Sequence, residues 1–225
     1  GRAVGVRKGR RRGKRGSPVL RDMADIELHR GVVAGADEAV GRGALAGPVG
    51  VGAFLLTREM LDSLPASIRD SKLIAEKKRA EVAEAVMAWG ESGVGLCPVS
   101  TIEEKGISFA LKTAALEAIE NLTPQNAVVL LDGSHNWLGE IGVKVVVQTK
   151  ADRDCGSVAA ASVVAKVKRD ALMAELSKDF PDYGWDSNKG YSSNSHIEAI
   201  QRLGPTEHHR TSWLEKILSK DLGLF

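Results

Sequence analysis

Asp37 and Glu38 stand side by side at the end of an apolar run, and Gly41-Arg42-Gly43 follows almost at once. Adjacent negative charges repel, and neither glycine favours a strand or a helix, so something outside the chain must offset the cost. Two more apolar runs end on an acid: AVVLLD (127–132) closes on Asp132 and VKVVVQTKAD (143–152) closes on Asp152. Carboxylates delivered by the carboxyl ends of three strands lie where ligands gather in open α/β sheets. Ionised oxygens crowded together need a cation, and an all-oxygen donor set selects Mg²⁺ or Mn²⁺ over zinc. Such a centre suits phosphodiester hydrolysis, with two ions about 4 Å apart serving the attacking and leaving oxygens. The glycines suit another task. Without a Cβ, backbone groups can approach a ligand closely, and a sugar 2′-hydroxyl, which separates RNA from DNA, both donates and accepts.

The elements that must position these residues are legible in the patterning. GVVAGA (31–36) and GPVGVGAFLL (47–56) read as buried strands joined by the glycine-rich turn. AEKKRAEVAEAVMAW (75–89) places Val82, Val86 and Trp89 at helical spacing, and VGLCPVS (94–100) reads as a strand weakened by Pro98. Thr101 with Glu104 forms a capping-box pattern that opens a helix burying Ile107, Leu111, Ala114 and Leu116 or nearby positions, up to Leu122. GSVAAASVVAKVKRDALMAELSKDF (156–180) reads as one long helix whose small first half can lie close against a sheet, and Asp154 reads as its cap. Trp89 and Trp213 read as core anchors, and Tyr183 and Trp185 as groove lining or packing. His208, His209 and Arg210 read as supporting or structural. Strands alternating with helices imply an α/β layer fold with a mixed sheet.

Composition narrows the class. The 225 residues, 43% hydrophobic and 27% charged, suit an ordinary globular chain with a sizeable core. No apolar run reaches the roughly 18–20 residues of a membrane span, so the expected location is cytoplasmic, with no membrane partner. Cys97 and Cys155 are far apart in sequence and belong to no Cys/His cluster, so both read as buried thiols. Residues 1–16 hold eight of the 31 basic side chains and no acid. That leaves 23 against 29 acids, a formal charge of about −6 on the remainder. A Gly/Arg/Lys stretch of this kind cannot bury apolar surface and suits loose phosphate contacts, so residues 1–22 are expected to be a disordered basic tail.

DEAVGRGALAGPV, RDSKLI (69–74), LLDGSHNWL (130–138), KADRDCGSVAAASVVAKVKRD (150–170), NKGYSS (188–193) and GPTEHHRTSW (204–213) together resemble the bacterial ribonuclease HII family, in order, across residues 31–213. The resemblance implies an RNase H-like mixed sheet flanked by helices over residues 23–180. A small helical C-terminal extension, 181–225, would complete the substrate groove. It implies Asp37, Glu38, Asp132 and Asp152 as metal-binding and catalytic carboxylates, with Mg²⁺ or Mn²⁺ as cofactor. Gly41, Arg42 and Gly43 match the motif that reads the 2′-hydroxyl, and Tyr191 the tyrosine that stacks on the following sugar. Ser71, Lys72 and Lys166 match positions near the nucleic-acid backbone. The implied activity is cleavage of RNA in RNA/DNA hybrids, and at ribonucleotides embedded in duplex DNA, by a monomer, giving 3′-hydroxyl and 5′-phosphate ends. The alternatives are a catalytically impaired nucleic-acid-binding homologue and another nuclease on the same fold, such as a junction resolvase. Ala39 and Val40 are two residues where the family has one between the acids and Gly-Arg-Gly, which predicts a bulge or a shifted turn. Ser192-Ser193 replaces the usual Gly-Thr.

Overall fold

The computed structural model of the chain describes residues 32–36, 40–63, 65, 68, 74–120, 122 and 127–218. Asp37, Glu38, Ser71, Lys72 and the basic tail lie outside the described residues. Five strands form one sheet: β1 (Val32–Ala36), β2 (Val49–Thr57), β3 (Ser92–Cys97), β4 (Val128–Asp132) and β5 (Lys144–Gln148), in the order β3-β2-β1-β4-β5. The first three are antiparallel neighbours, whereas β4 runs parallel to both β1 and β5. The sheet is therefore mixed, with the carboxyl ends of β1, β4 and β5 at one edge.

Alternation along the strands divides the core between two faces. Val129 and Leu131 of β4 pack with Val49, Val51 and the helices α2 (Val99–Lys105) and α3 (Ile107–Glu120). On the other face Phe54 packs with Val82 and Val86 of α1 (Glu76–Trp89) and with Ala159 to Ala165. Those alanines belong to a 24-residue helix, Gly156–Asp179, whose first ten residues are all buried. A Cβ built on Gly52 of β2 would come within 2.1 Å of the Ala161 carbonyl oxygen, so glycine below and alanine above set this close approach. A short helix, α4 (Ala151–Asp154), precedes the long one, α5. The chain closes with α6 (Trp185–Asn188), α7 (Asn194–Leu203) and α8 (Glu215–Leu218). Their apolar cluster includes Leu45 and Ala46 from the turn before β2, together with Met173, Tyr183, Trp185, Ile200 and Leu214.

Several expectations need correction. The last apolar run stops as a strand at Gln148, because Lys150 takes a left-handed φ of 63° that a strand cannot continue, and Asp152 stands on α4. No capping box forms at Thr101: helix α2 begins at Val99 behind Pro98, whose fixed φ suits a helix start. Gly106 at φ 83° then splits the expected helix in two, and Leu116 is exposed. The cap position of α5 is Cys155, so Asp154 is not its cap. Trp213 is only partly buried. Its ring lies 4.7 Å from the Arg210 guanidinium carbon. Tyr183 and Trp185 are buried and stack on each other at 5.3 Å, so packing accounts for them. The two cysteines are buried and free, as expected.

Candidate active site

Asp132 is the last residue of β4, and β1 ends beside it, with Ala36 opposite Leu131. Its Oδ1 accepts the Ala151 N–H at 2.7 Å, a charge-assisted bond that fixes the start of α4. Asp152 follows directly and is as buried as Asp132, 6% against 7% exposed. The two loops behind them are tied where Thr149 Oγ1 donates to the Gly133 carbonyl at 3.2 Å. Carboxylate oxygens held at a buried sheet edge are the donor set a hard divalent cation takes. Among the described residues no group of three or more His, Cys, Asp or Glu side chains gathers as a metal site; Asp37 and Glu38 fall outside them.

The extra residue before Gly-Arg-Gly has a register signature. Ala36 pairs with Ala53, and the ladder resumes where Val40 and Gly50 exchange N–H···O bonds of 2.8 and 2.9 Å. The described pairs on either side of residues 37–39 are thus out of step by one. The slip falls before Val40. From there Gly41 to Gly43 form a turn closed by Ala44 N–H on the Gly41 carbonyl at 3.2 Å.

That turn is held from behind. The Gly41 N–H donates to the Tyr191 hydroxyl at 3.0 Å, and Leu45 N–H donates to the Gly190 carbonyl at 2.8 Å. Two fully buried arginines supply the rest. Arg169 donates to the carbonyls of Pro48 (2.8 Å), Lys189 (3.0 Å) and Ala46 (3.1 Å). Arg210 donates to those of Gly41 (2.8 Å), Arg42 (2.9 Å) and Gly47 (3.0 Å). Burial, followed by the charge of Arg169, lowers the Arg210 pKa to about 10, which still leaves it charged at neutral pH. Arg169 is likewise lowered by burial. Lys166 pairs with Asp170 at 2.6 Å, and its Nζ lies 5.9 Å from the centre of the Tyr191 ring.

Beneath Tyr191 sits a neutral histidine pair. His196 Nδ1 donates to the Tyr191 carbonyl at 2.8 Å, so its Nε2 is the acceptor for Trp185 Nε1–H at 3.0 Å. His209 Nδ1 accepts the Thr206 N–H at 2.9 Å, which leaves its Nε2 proton facing His196 Nε2 at 3.2 Å. A further proton on either ring would meet an existing donor. Burial, then the neighbouring His196 and His208, lowers the His209 pKa to about 4, and burial lowers that of His196. Unfolded histidine titrates near 6.5, so below that pH the unfolded chain takes up protons that the native state refuses. Stability is therefore complete above about pH 6.5 and is lost as the pH falls towards 4. Calorimetric melting points between pH 7 and 4.5 are expected to fall by several degrees, and His209→Gln to flatten that slope. Equal slopes would remove the histidine pair as its cause.

Among the sequence candidates, the structure brings Gly41, Arg42, Gly43, Tyr191 and Lys166 to one region, and Asp132 and Asp152 to the sheet edge. Arg169 went unnoticed in the sequence. It lies on the buried stripe Ser162, Ala165, Arg169, Met173 of α5, and a charge on an apolar stripe is the signal that could have found it.

The sequence profile for Ribonuclease HII matches residues 34–216. The chain is 44% identical over 183 residues to a Ribonuclease HII of Streptomyces avermitilis, covering 81% of this chain and 76% of that protein. It is 42% identical over 183 residues to one from a Wolbachia of Brugia malayi, covering 81% and 88%. Among solved structures, the complex of PCNA and RNase HII from Archaeoglobus fulgidus matches with a TM-score of 0.67 and 26% identity, over 81% of this chain and 95% of that one. Ribonuclease H2 of Pyrococcus horikoshii shares the fold, with a TM-score of 0.69 at 21% identity over 85% and 99%. The matched profile takes in both the acid-bearing sheet edge and the arginine-backed glycine turn, and the chain belongs to the ribonuclease HII family, the type 2 ribonucleases H, metal-dependent endonucleases that cleave RNA in RNA/DNA hybrids.

Proposed function

We propose that this chain, acting as a monomer in the cytoplasm, cuts on the 5′ side of a ribonucleotide, in RNA/DNA hybrids and at single ribonucleotides embedded in duplex DNA. The products are 3′-hydroxyl and 5′-phosphate ends. The observation that carries the reading is the 3.0 Å bond from Gly41 N–H to the Tyr191 hydroxyl, which joins a glycine turn to an aromatic ring across 150 residues. Gly41, Arg42 and Gly43 would meet the 2′-hydroxyl with backbone groups, while the Tyr191 ring, 37% exposed, packs on the next sugar. Asp37, Glu38, Asp132 and Asp152 would hold Mg²⁺ or Mn²⁺. When bound, such ions supply an activated water and charge neutralisation at the phosphate. Asp132 contributes a carboxylate already aimed by Ala151. Lys166, with Ser71 and Lys72, would contact phosphates. Residues 23–180 form the catalytic domain in this reading, and 181–225 complete the groove by carrying Tyr191.

The test is a labelled DNA duplex with one ribonucleotide, beside the all-DNA duplex and an RNA/DNA hybrid, each incubated with Mg²⁺ or Mn²⁺. A site built around one hydroxyl rejects the substrate lacking it by about 10⁴-fold, so the all-DNA duplex should stay intact. Comparable cutting of both duplexes, or of neither, would refute the reading.

A further inference from the structure

We propose that Arg210 is a positioning residue for ribonucleotide specificity: its guanidinium bonds the carbonyls of Gly41 and Arg42 from behind the turn and so strengthens the N–H groups on the opposite edges of those peptides as donors to a sugar hydroxyl. The inference rests on the reading of this turn as the ribose reader.

A peptide unit joins the carbonyl of one residue to the N–H of the next. In a trans peptide the two point to opposite edges. No cis peptide occurs among the described residues. The Gly41 carbonyl is thus paired with the Arg42 N–H, and the Arg42 carbonyl with the Gly43 N–H. Arg210 Nη2 reaches the first carbonyl at 2.8 Å and Nη1 the second at 2.9 Å. Both carbonyls face the buried cation, so the N–H edges face away from it, and Arg42 and Gly43 are exposed. A charged donor on a carbonyl draws electron density along the amide, and hydrogen bonds in series reinforce one another where the dielectric is low. A Cβ built on Gly43 meets nothing within 4 Å, so there is open space at this residue into which a ligand can come.

Two features separate this from ordinary loop support. First, consecutive carbonyls taken by the two Nη atoms need the planar fork of arginine, which a lysine ammonium cannot reproduce. Second, the side chain is locked more firmly than anchoring the loop requires. The Trp213 ring covers the guanidinium, its Nε and Nη2 also reach the Gly47 carbonyl, and Glu103 binds the next two residues. Glu103 accepts from Thr211 Oγ1 (2.8 Å), Ser212 N–H (3.0 Å) and Ser212 Oγ (2.8 Å). Arg169 is as deeply buried, yet its acceptors are Ala46, Pro48 and Lys189, none of them in the turn's reading edge.

The decisive measurement is the binding preference of the full chain for a single-ribonucleotide duplex over the all-DNA duplex, taken with Ca²⁺ so that nothing is cut. Arg210→Lys is expected to lower that preference at least tenfold, with the folded state verified by near-UV circular dichroism at the assay temperature. The amide ¹⁵N and ¹H resonances of Gly43 should move upfield in the same variant. In Glu103→Gln, which loosens the same segment but keeps the guanidinium, they should stay within the spread of ordinary neighbours. Millimolar guanidinium, and not ammonium, should restore part of the preference in Arg210→Ala. An unchanged preference in Arg210→Lys, whatever its melting point, overturns the proposal. Failure of the wild-type chain itself to prefer the ribonucleotide would instead refute the ribose-reading function.

Discussion

Asp132→Asn is expected to slow cleavage at a ribonucleotide by about a thousandfold while leaving the melting temperature nearly unchanged. The two effects separate because the carboxylate has two jobs. One is structural: Oδ1 accepts the Ala151 N–H at 2.7 Å, and an asparagine carbonyl can accept the same bond. The other is the electrostatic one we propose: the negative charge at this buried edge would draw a divalent cation. Losing one ligand of a charge-stabilising ion costs several kcal/mol of transition-state stabilisation, and each 1.36 kcal/mol is tenfold in rate, which gives the thousandfold figure. Asp132→Ala is the contrasting case. It leaves a buried N–H without its acceptor, at a cost of about 1–3 kcal/mol, so it should lose stability as well as activity. Half-saturating Mg²⁺, from initial rates, should rise in both variants. An Asp132→Asn enzyme that cleaves at the wild-type rate would show that this carboxylate holds no catalytic ion.

The two glycines of the turn are expected to fail in opposite ways. Gly41→Ala should unfold the protein at a temperature about 6–12 °C lower. Its φ of 80° disfavours a side chain, and the added Cβ would lie 2.1 Å from Arg169 Nε, inside the buried network. Strain and overpacking of this kind cost on the order of 3 kcal/mol together, and about 1 kcal/mol shifts the melting point of a chain this size by about 2–4 °C. Gly43→Ala meets no atom within 4 Å and should melt within about 2 °C of the wild type. In the proposed reading its methyl group would stand where the sugar comes against the backbone, and displacing a substrate by about 1 Å can cost a hundredfold in rate. Calorimetry with single-turnover cleavage separates the two. Wild-type cleavage by Gly43→Ala would mean that the sugar does not approach this peptide.

The register on either side of residues 37–39 illustrates how far patterning reached. Counting residues between the acids and Gly-Arg-Gly predicts one residue too many, and the pairing of Val40 with Gly50 shows the register slip before the turn begins. The long helix, the apolar runs that form strands and the close packing of the helix's alanines were also legible, because burial periodicity and residue size are local properties. The capping box at Thr101 was misleading for a complementary reason. Pro98 and the left-handed Gly106 impose backbone limits that outweigh a side-chain bond worth about 1 kcal/mol.

Residue types alone pointed to the chemistry proposed for this protein: carboxylates closing apolar runs, a turn with no side chains at either glycine, and a tyrosine in a loop far along the chain. Spacing put each on a strand, helix or turn. Only the tertiary structure decided what lies behind the glycine turn, because Arg210 reaches its carbonyls from 169 residues away and Arg169 the Pro48 carbonyl beyond it from 121. Their bonds go to backbone carbonyls, which every residue carries and no sequence pattern distinguishes. A cation that finds an acid can be guessed from charge; one that finds a carbonyl depends on where the folded chain brings it.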